Sequence, residues 1–178
     1  MTRSADAEAR FSELMDEHGK AVLGYLTRRT DPAFDAADLM AEVFVVAWRR
    51  LGDVPEQSDE ARAWLLGVAL RVLANHHRGA TRRTQLADRL RGDLELRRQR
   101  HGSPDEVAGL VGEALERLDV EDRELLTLIA WEDLTSEQAG AVLGLSGAAV
   151  RKRLQRIRTR LRADLEAEDD SPLAHAPT

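Results

Sequence analysis

The chain has 178 residues, enough for one ordinary domain or two small ones, with 33% charged residues, 4% aromatic residues and no cysteine. Disulfides, zinc–thiolate sites and thiol catalysis are excluded, and no apolar run is long enough to span a membrane. The net charge of −6 argues against tight, free-standing binding to DNA and suits a protein that works while held by a larger partner.

The N-terminal MTRSADAEAR is polar and lacks the apolar core of a signal peptide, so a cytoplasmic location is expected. Apolar spacing predicts a first helix over about Ala7–Arg29, carrying Phe11, Leu14, Met15, Val22, Leu23 and Leu26 and broken by Asp31-Pro32. Asp35 is placed to cap a second helix, with Asp38 in a first turn where the helix dipole favours an acid. That helix carries two adjoining stripes, Leu39, Val43, Val46, Ala47 and Phe44, Trp48, wide enough to be buried on both sides; Gly52 and Pro55 end it. Ser58 or Asp59 starts a third helix with Trp64, Leu65, Val68, Ala69, Val72 and Leu73 on one face. Trp48 and Trp64 are expected in the core.

Residues 79–102 read as a polar, flexible connector with seven Arg and three acids. Leu86, Leu90 and Leu94 lie four apart, which allows a marginal helix that would fray alone. Ser103-Pro104-Asp105-Glu106 joins a capping box to a proline at the first helical position, predicting a start there. Helices follow over about Pro104–Leu118 and Val120–Glu132, the latter capped by Asp119, with Trp131 as a core residue. Thr135-Ser136-Glu137-Gln138 is another capping box. The fold class is all-α: two small helical domains, about 7–78 and 103–168, joined by a flexible linker, with a disordered tail over 169–178.

The most informative stretch is Thr135–Ala163. Gly144 can take the left-handed backbone that closes one helix, and Ser146 can cap the next. From Ser146 to Ala163 there are seven Lys or Arg and no acid, while Val150, Leu154, Ile157 and Leu161 form one apolar stripe. The acids Asp164, Glu166, Glu168, Asp169 and Asp170 behind it mask this cationic helix in the net charge. Phosphate attraction is local, because salt erases fields beyond about 8–10 Å. This is a helix-turn-helix whose second helix suits a DNA major groove.

In order and spacing the chain resembles the extracytoplasmic-function (ECF) sigma factors, two-domain initiation factors of bacterial RNA polymerase. Three motifs carry the resemblance: Asp35-Ala36-Ala37-Asp38-Leu39-Met40-Ala41-Glu42-Val43-Phe44 with Ala47-Trp48-Arg49; Arg62-Ala63-Trp64-Leu65 through Val68-Ala69 to Asn75 and Arg78; and Leu134-Thr135-Ser136-Glu137 through Leu143-Gly144-Leu145-Ser146 to Arg156-Ile157-Arg158. The resemblance implies that the first domain binds core RNA polymerase, through Asp35, Asp38, Leu39, Glu42 and Phe44, and captures the melted −10 element, through Arg71, Asn75 and Arg78. It implies that the second domain reads the −35 duplex through Ser146, Arg151, Lys152, Arg153, Gln155, Arg156 and Arg158. Arg can bond guanine O6 and N7 together and Gln can pair with an adenine edge, whereas Arg153, Arg158, Arg160 and Arg162 suit phosphate. Core polymerase and promoter DNA are the implied partners, with an anti-sigma protein that could cover the Asp38/Glu42 surface and the basic helix. No cofactor, metal or membrane insertion is implied.

Some positions depart from the family pattern. Ala41 stands for a polar Gln, Leu70-Arg71 for Arg-Asn, and Ala139-Gly140 for a larger apolar residue and Ala. The last suggests a looser helix-turn-helix, since Gly costs about 1 kcal/mol against Ala inside a helix. No catalytic or metal constellation appears: His76 and His77 are adjacent and point about 100° apart, too far to chelate one ion well. Gly144-Leu145-Ser146 lacks the final glycine of a nucleophile elbow. The rivals are a free-standing helix-turn-helix regulator, which would need a dimerisation or ligand domain in the first seventy residues, and an adaptor whose basic helix binds acidic protein.

Overall fold

The computed structural model describes residues 2–30, 34–91, 112 and 114–169. These residues hold the helices α1 (Thr2–Thr27), α2 (Phe34–Arg49), α3 (Ser58–Arg91), α4 (Val120–Ala130), α5 (Ser136–Leu143) and α6 (Gly147–Asp169), with a 3-10 turn at Leu51–Asp53. Residues 114–116 are also helical, and there is no strand among the described residues. No helix among them is long and apolar enough to cross a membrane. The chain divides into two compact units, the first built on α1, α2 and α3, the second holding α4 and α6.

In the first unit each helix contributes one apolar face. Val22, Tyr25 and Leu26 of α1, Leu39, Val43, Phe44 and Ala47 of α2, and Leu65, Leu66, Ala69 and Leu73 of α3 are all buried. Full burial of such a side chain stabilises by roughly 1.5–3 kcal/mol, so this cluster accounts for the three-helix unit. Phe11 meets Phe44 and Trp48 edge-on, with ring centroids 6.0 and 5.2 Å apart. His18 is buried. That burial holds its imidazole below its ordinary pKa, against the opposing pull of the Glu17 carboxylate 3.7 Å away.

Several sequence expectations change. α2 begins at Phe34, so Asp35 lies in its first turn instead of capping it. α2 is buried on one side only: Val45 is 47% and Trp48 44% exposed. Trp64 is only partly buried. α3 does not stop at Arg78 but runs on to Arg91, taking residues 79–91 of the expected connector into one continuous helix. Those residues therefore advance only about 1.5 Å each, less than half of what an extended chain would reach. The Asp31-Pro32 break, the rest of the connector, the Ser103–Glu106 start signal and residues 170–178 lie outside the described residues.

In the second unit α4 packs on α6, and Leu125 and Leu128 of α4, Val150, Leu154 and Ile157 of α6, Ala139 of α5, and Ala114, Leu118 and Leu134 are all buried. Asp119 caps α4 as expected, its Oδ1 accepting from Asp122 N–H at 2.7 Å. Trp131, expected in this core, is 58% exposed at the end of α4. Arg123 closes the preceding helical turn by donating to the carbonyls of Leu115, Glu116 and Leu118.

Candidate nucleic-acid interface

The helix-turn-helix is fixed by local hydrogen bonds. The capping box that opens α5 is reciprocal: Gln138 N–H donates to Thr135 Oγ1 at 3.2 Å, and Thr135 N–H donates to Gln138 Oε1 at 2.9 Å. Gly144 has φ +72°, the left-handed conformation that ends α5, and Leu145 N–H returns to the Gly140 carbonyl at 2.8 Å. Ser146 caps α6, its Oγ accepting from Ala149 N–H at 3.2 Å.

Gly140 sits closer to the turn than its sequence reading suggests. A Cβ built there would lie 2.5 Å from the Leu145 carbonyl oxygen, a backbone atom that cannot swing away. In this chain the turn therefore closes on a position with no room for a Cβ.

On α6, Val150, Leu154 and Ile157 face inward. Arg151, Lys152, Gln155, Arg156 and Arg158 are exposed. Arg151, Gln155, Arg158 and Arg162 follow one another at helical spacing and, with Ser136, Leu154 and Thr159, line a groove of about 550 Å³. Glu137 Oε1 accepts a hydrogen bond from Arg151 Nη1, and this bond holds the Glu137 carboxyl below its usual range. Arg160 donates instead to the Arg117 carbonyl at 3.0 Å.

Arg153 departs from the sequence reading. Its guanidinium turns back to α4, where Nε donates to Asp122, Nη1 to Glu121 at 3.0 Å and Nη2 to Asp119 at 3.4 Å. Its side chain is only 20% exposed. The Asp122 bond first, with Glu121 and the charge of Asp119, raises its pKa above the ordinary value. It is a bolt between helices, not part of the outward basic face.

In the first unit, Arg71, Asn75 and Arg78 are all exposed on α3, and their spacing of four and three puts them on one face. Arg78 Nη2 donates to Asn75 Oδ1 at 2.5 Å. His76 Nε2 lies 3.4 Å from Asp35 Oδ2, so Asp35 meets α3. Asp38 and Glu42 are exposed on α2, whereas Leu39 and Phe44 are 2% and 4% exposed. The last two support the helix from behind and cannot themselves touch a docked protein. Sequence periodicity missed Val45, which shares the open face with Asp38 and Glu42; Trp48, in contact with Phe11 on one side, is half-exposed at the margin of that face. Among the described residues no group of His, Asp and Glu could hold a metal ion.

Fold and surface together define an all-α protein built around a capped helix-turn-helix with a cationic second helix. The models of Sigma-70 region 2 and Sigma-70, region 4 match residues 14–83 and 108–161. The chain is 33% identical to the RNA polymerase sigma factor CnrH of Cupriavidus metallidurans, over 90% of this chain and 88% of that one. It is 32% identical to the ECF RNA polymerase sigma factor SigC of Mycobacterium tuberculosis, over 75% and 72%. The solved structure of CnrH in complex with the cytosolic domain of CnrY superposes with a TM-score of 0.56 at 32% identity, covering 90% of this chain and 89% of that one. The chain belongs to the ECF sigma factors, the alternative initiation factors of bacterial RNA polymerase. A free-standing regulator would have carried a dimerisation or ligand domain where residues 14–83 match Sigma-70 region 2.

Proposed function

We propose that this protein docks on core RNA polymerase through the open face of α2 and directs it to promoters by reading the −35 element with α6 and capturing the melted −10 element with α3. The observation that carries the reading is the outward array of Arg151, Lys152, Gln155, Arg156 and Arg158 on a helix locked in place by Ser146 and Gly144, within a chain of this family. The −35 domain corresponds to about 103–168 and the −10 domain to about 7–78 with the helical extension beyond it. Arg151, Gln155 and Arg156 suit base edges, and Lys152, Arg158 and Arg162 suit phosphates. Arg71, Asn75 and Arg78 offer donors and an acceptor to an unstacked base and its backbone. Asp38 and Glu42, with Val45 beside them and Trp48 at the margin, present acid and apolar surface together to a basic partner helix, while Asp35 steadies the helix through His76.

The protein performs no chemistry of its own in this reading, needs no cofactor, and acts in the cytoplasm where the polymerase works. An anti-sigma protein that covers these surfaces would gate it; the CnrH–CnrY complex, formed by a relative 32% identical, supports that partner class. Run-off transcription with purified core enzyme over a promoter library tests the whole. Specific start sites are expected, and their absence with inhibitor-free protein would overturn the reading.

Two substitutions sharpen it. Arg156→Ala is expected to weaken promoter use by about 1–3 kcal/mol with relaxed preference at one −35 position. Uniform loss across promoters would make it a phosphate contact. Asp38→Lys is expected to weaken core-polymerase binding about tenfold, the scale of reversing one interfacial charge. Unchanged co-purification with core enzyme would remove Asp38 from the docking face.

A further inference from the structure

We propose that Glu137, on the first helix of the helix-turn-helix, is a specificity-determining positioning residue that holds the Arg151 guanidinium off the phosphates and aims it at one base edge of the −35 element. The inference rests on the reading of α6 given above.

Three features support it. The Glu137–Arg151 pair joins α5 to α6 across 14 residues of sequence, although the two side chains are 67% and 58% exposed. A pair so exposed adds little to stability, so its geometry calls for another account. Gly147, the first residue of α6, makes room for it: a Cβ there would lie 2.7 Å from Glu137 Oε1, 3.0 Å from Cδ and 3.2 Å from Cγ. A side chain at 147 would therefore crowd the end of Glu137 in the position from which it meets Arg151. Arg151 also lines the groove shared with Ser136, Gln155, Arg158 and Arg162, where DNA would lie in the proposed docking.

The chemistry follows from the competition that any arginine meets at a duplex. Phosphates carry full charge and take most hydrogen bonds, so an unrestrained guanidinium is drawn to the backbone. A carboxylate on Nη1 neutralises the pair locally and weakens that pull. It also fixes the plane of the guanidinium while leaving Nε and Nη2 free. A guanine edge, which offers two partial charges at a fixed spacing, then gains on a phosphate. An exposed glutamate is ionised at physiological pH with or without a partner, so the carboxylate is charged where the factor works; the Arg151 bond shifts its carboxyl further in the same direction.

The test uses holoenzyme assembled from core polymerase and the full chain, over promoters varied at each −35 position and at several salt concentrations. Glu137→Ala is expected to lower discrimination at one −35 base pair about tenfold while strengthening binding to unrelated DNA and steepening the salt dependence by about one counterion. Gly147→Ala, which leaves both charges in place and favours the helix, is expected to blunt preference at the same base pair by displacing the carboxylate. In an Arg151→Ala background, Glu137→Ala is expected to change base preference no further. Unaltered discrimination in both single variants would overturn the inference, as would equal loss at every position. A preference change that persists without Arg151 would overturn it too, assigning Glu137 a contact of its own. Wild-type holoenzyme with no preference at any −35 position would instead remove the reading beneath it.

Discussion

Gly140→Val will cost the second domain about 3 kcal/mol, a large share of the stability of a small domain. The Cβ of any residue here would meet the Leu145 carbonyl at 2.5 Å, and that carbonyl belongs to the turn between α5 and α6. To relieve the clash the turn must open, and opening it strains the Leu145 N–H bond to the Gly140 carbonyl. Gly140→Ala sets two effects against each other. Helix propensity favours alanine by about 1 kcal/mol, while overpacking against backbone costs roughly 1–3 kcal/mol, so a smaller net loss remains. Thermal denaturation by circular dichroism measures both, and use of the −35 element should fall in parallel. An alanine variant as stable as wild type would show that the turn has slack and that the glycine is incidental.

Arg153→Met is expected to destabilise the same domain by about 2–3 kcal/mol. The dominant partner is Asp122, whose side chain is 17% exposed, and stranding a carboxylate in such a place costs several kcal/mol when fully buried. Glu121 and Asp119 are 80% and 62% exposed, so their bonds to Arg153 add little. The expected figure therefore lies below that of a fully buried pair. Arg153→Lys keeps one charge but not a planar fork for three carboxylates, so only part of the loss should return. Urea denaturation reads the stability. The salt dependence of promoter binding, measured below the unfolding transition, separates the two roles. An unchanged slope fits a residue inside the domain, whereas a slope lower by about one would put Arg153 on a phosphate after all.

What was legible in the sequence was chiefly what is local. Asp119, the Thr135–Gln138 box, Gly144 and Ser146 each act within a few residues of themselves, and the bonds expected of them are present. The inward stripe Val150, Leu154, Ile157 follows from helical spacing alone. What escaped depends on contacts distant in sequence. The partners of Arg153 lie 31 to 34 residues upstream, so on a cationic helix it looked like its neighbours. The need for glycine at position 140 exists only because Leu145 folds back on it. Leu39 and Phe44 share a motif with Asp38 and Glu42, and only packing distinguishes the inner residues from the outer ones. Helical spacing puts Trp48 in an apolar stripe, and Trp131 reads as a core residue, yet the packing of α2 and the position of Trp131 at the end of α4 leave both partly in solvent.

The two open indoles give each half of the chain its own optical reporter. Trp48 lies at 44% exposure in the first unit and Trp131 at 58% in the second, so the emission of each will shift to the blue when a partner covers it. Single-tryptophan versions would let engagement of either half be timed separately in a stopped-flow mixer, with no dye attached.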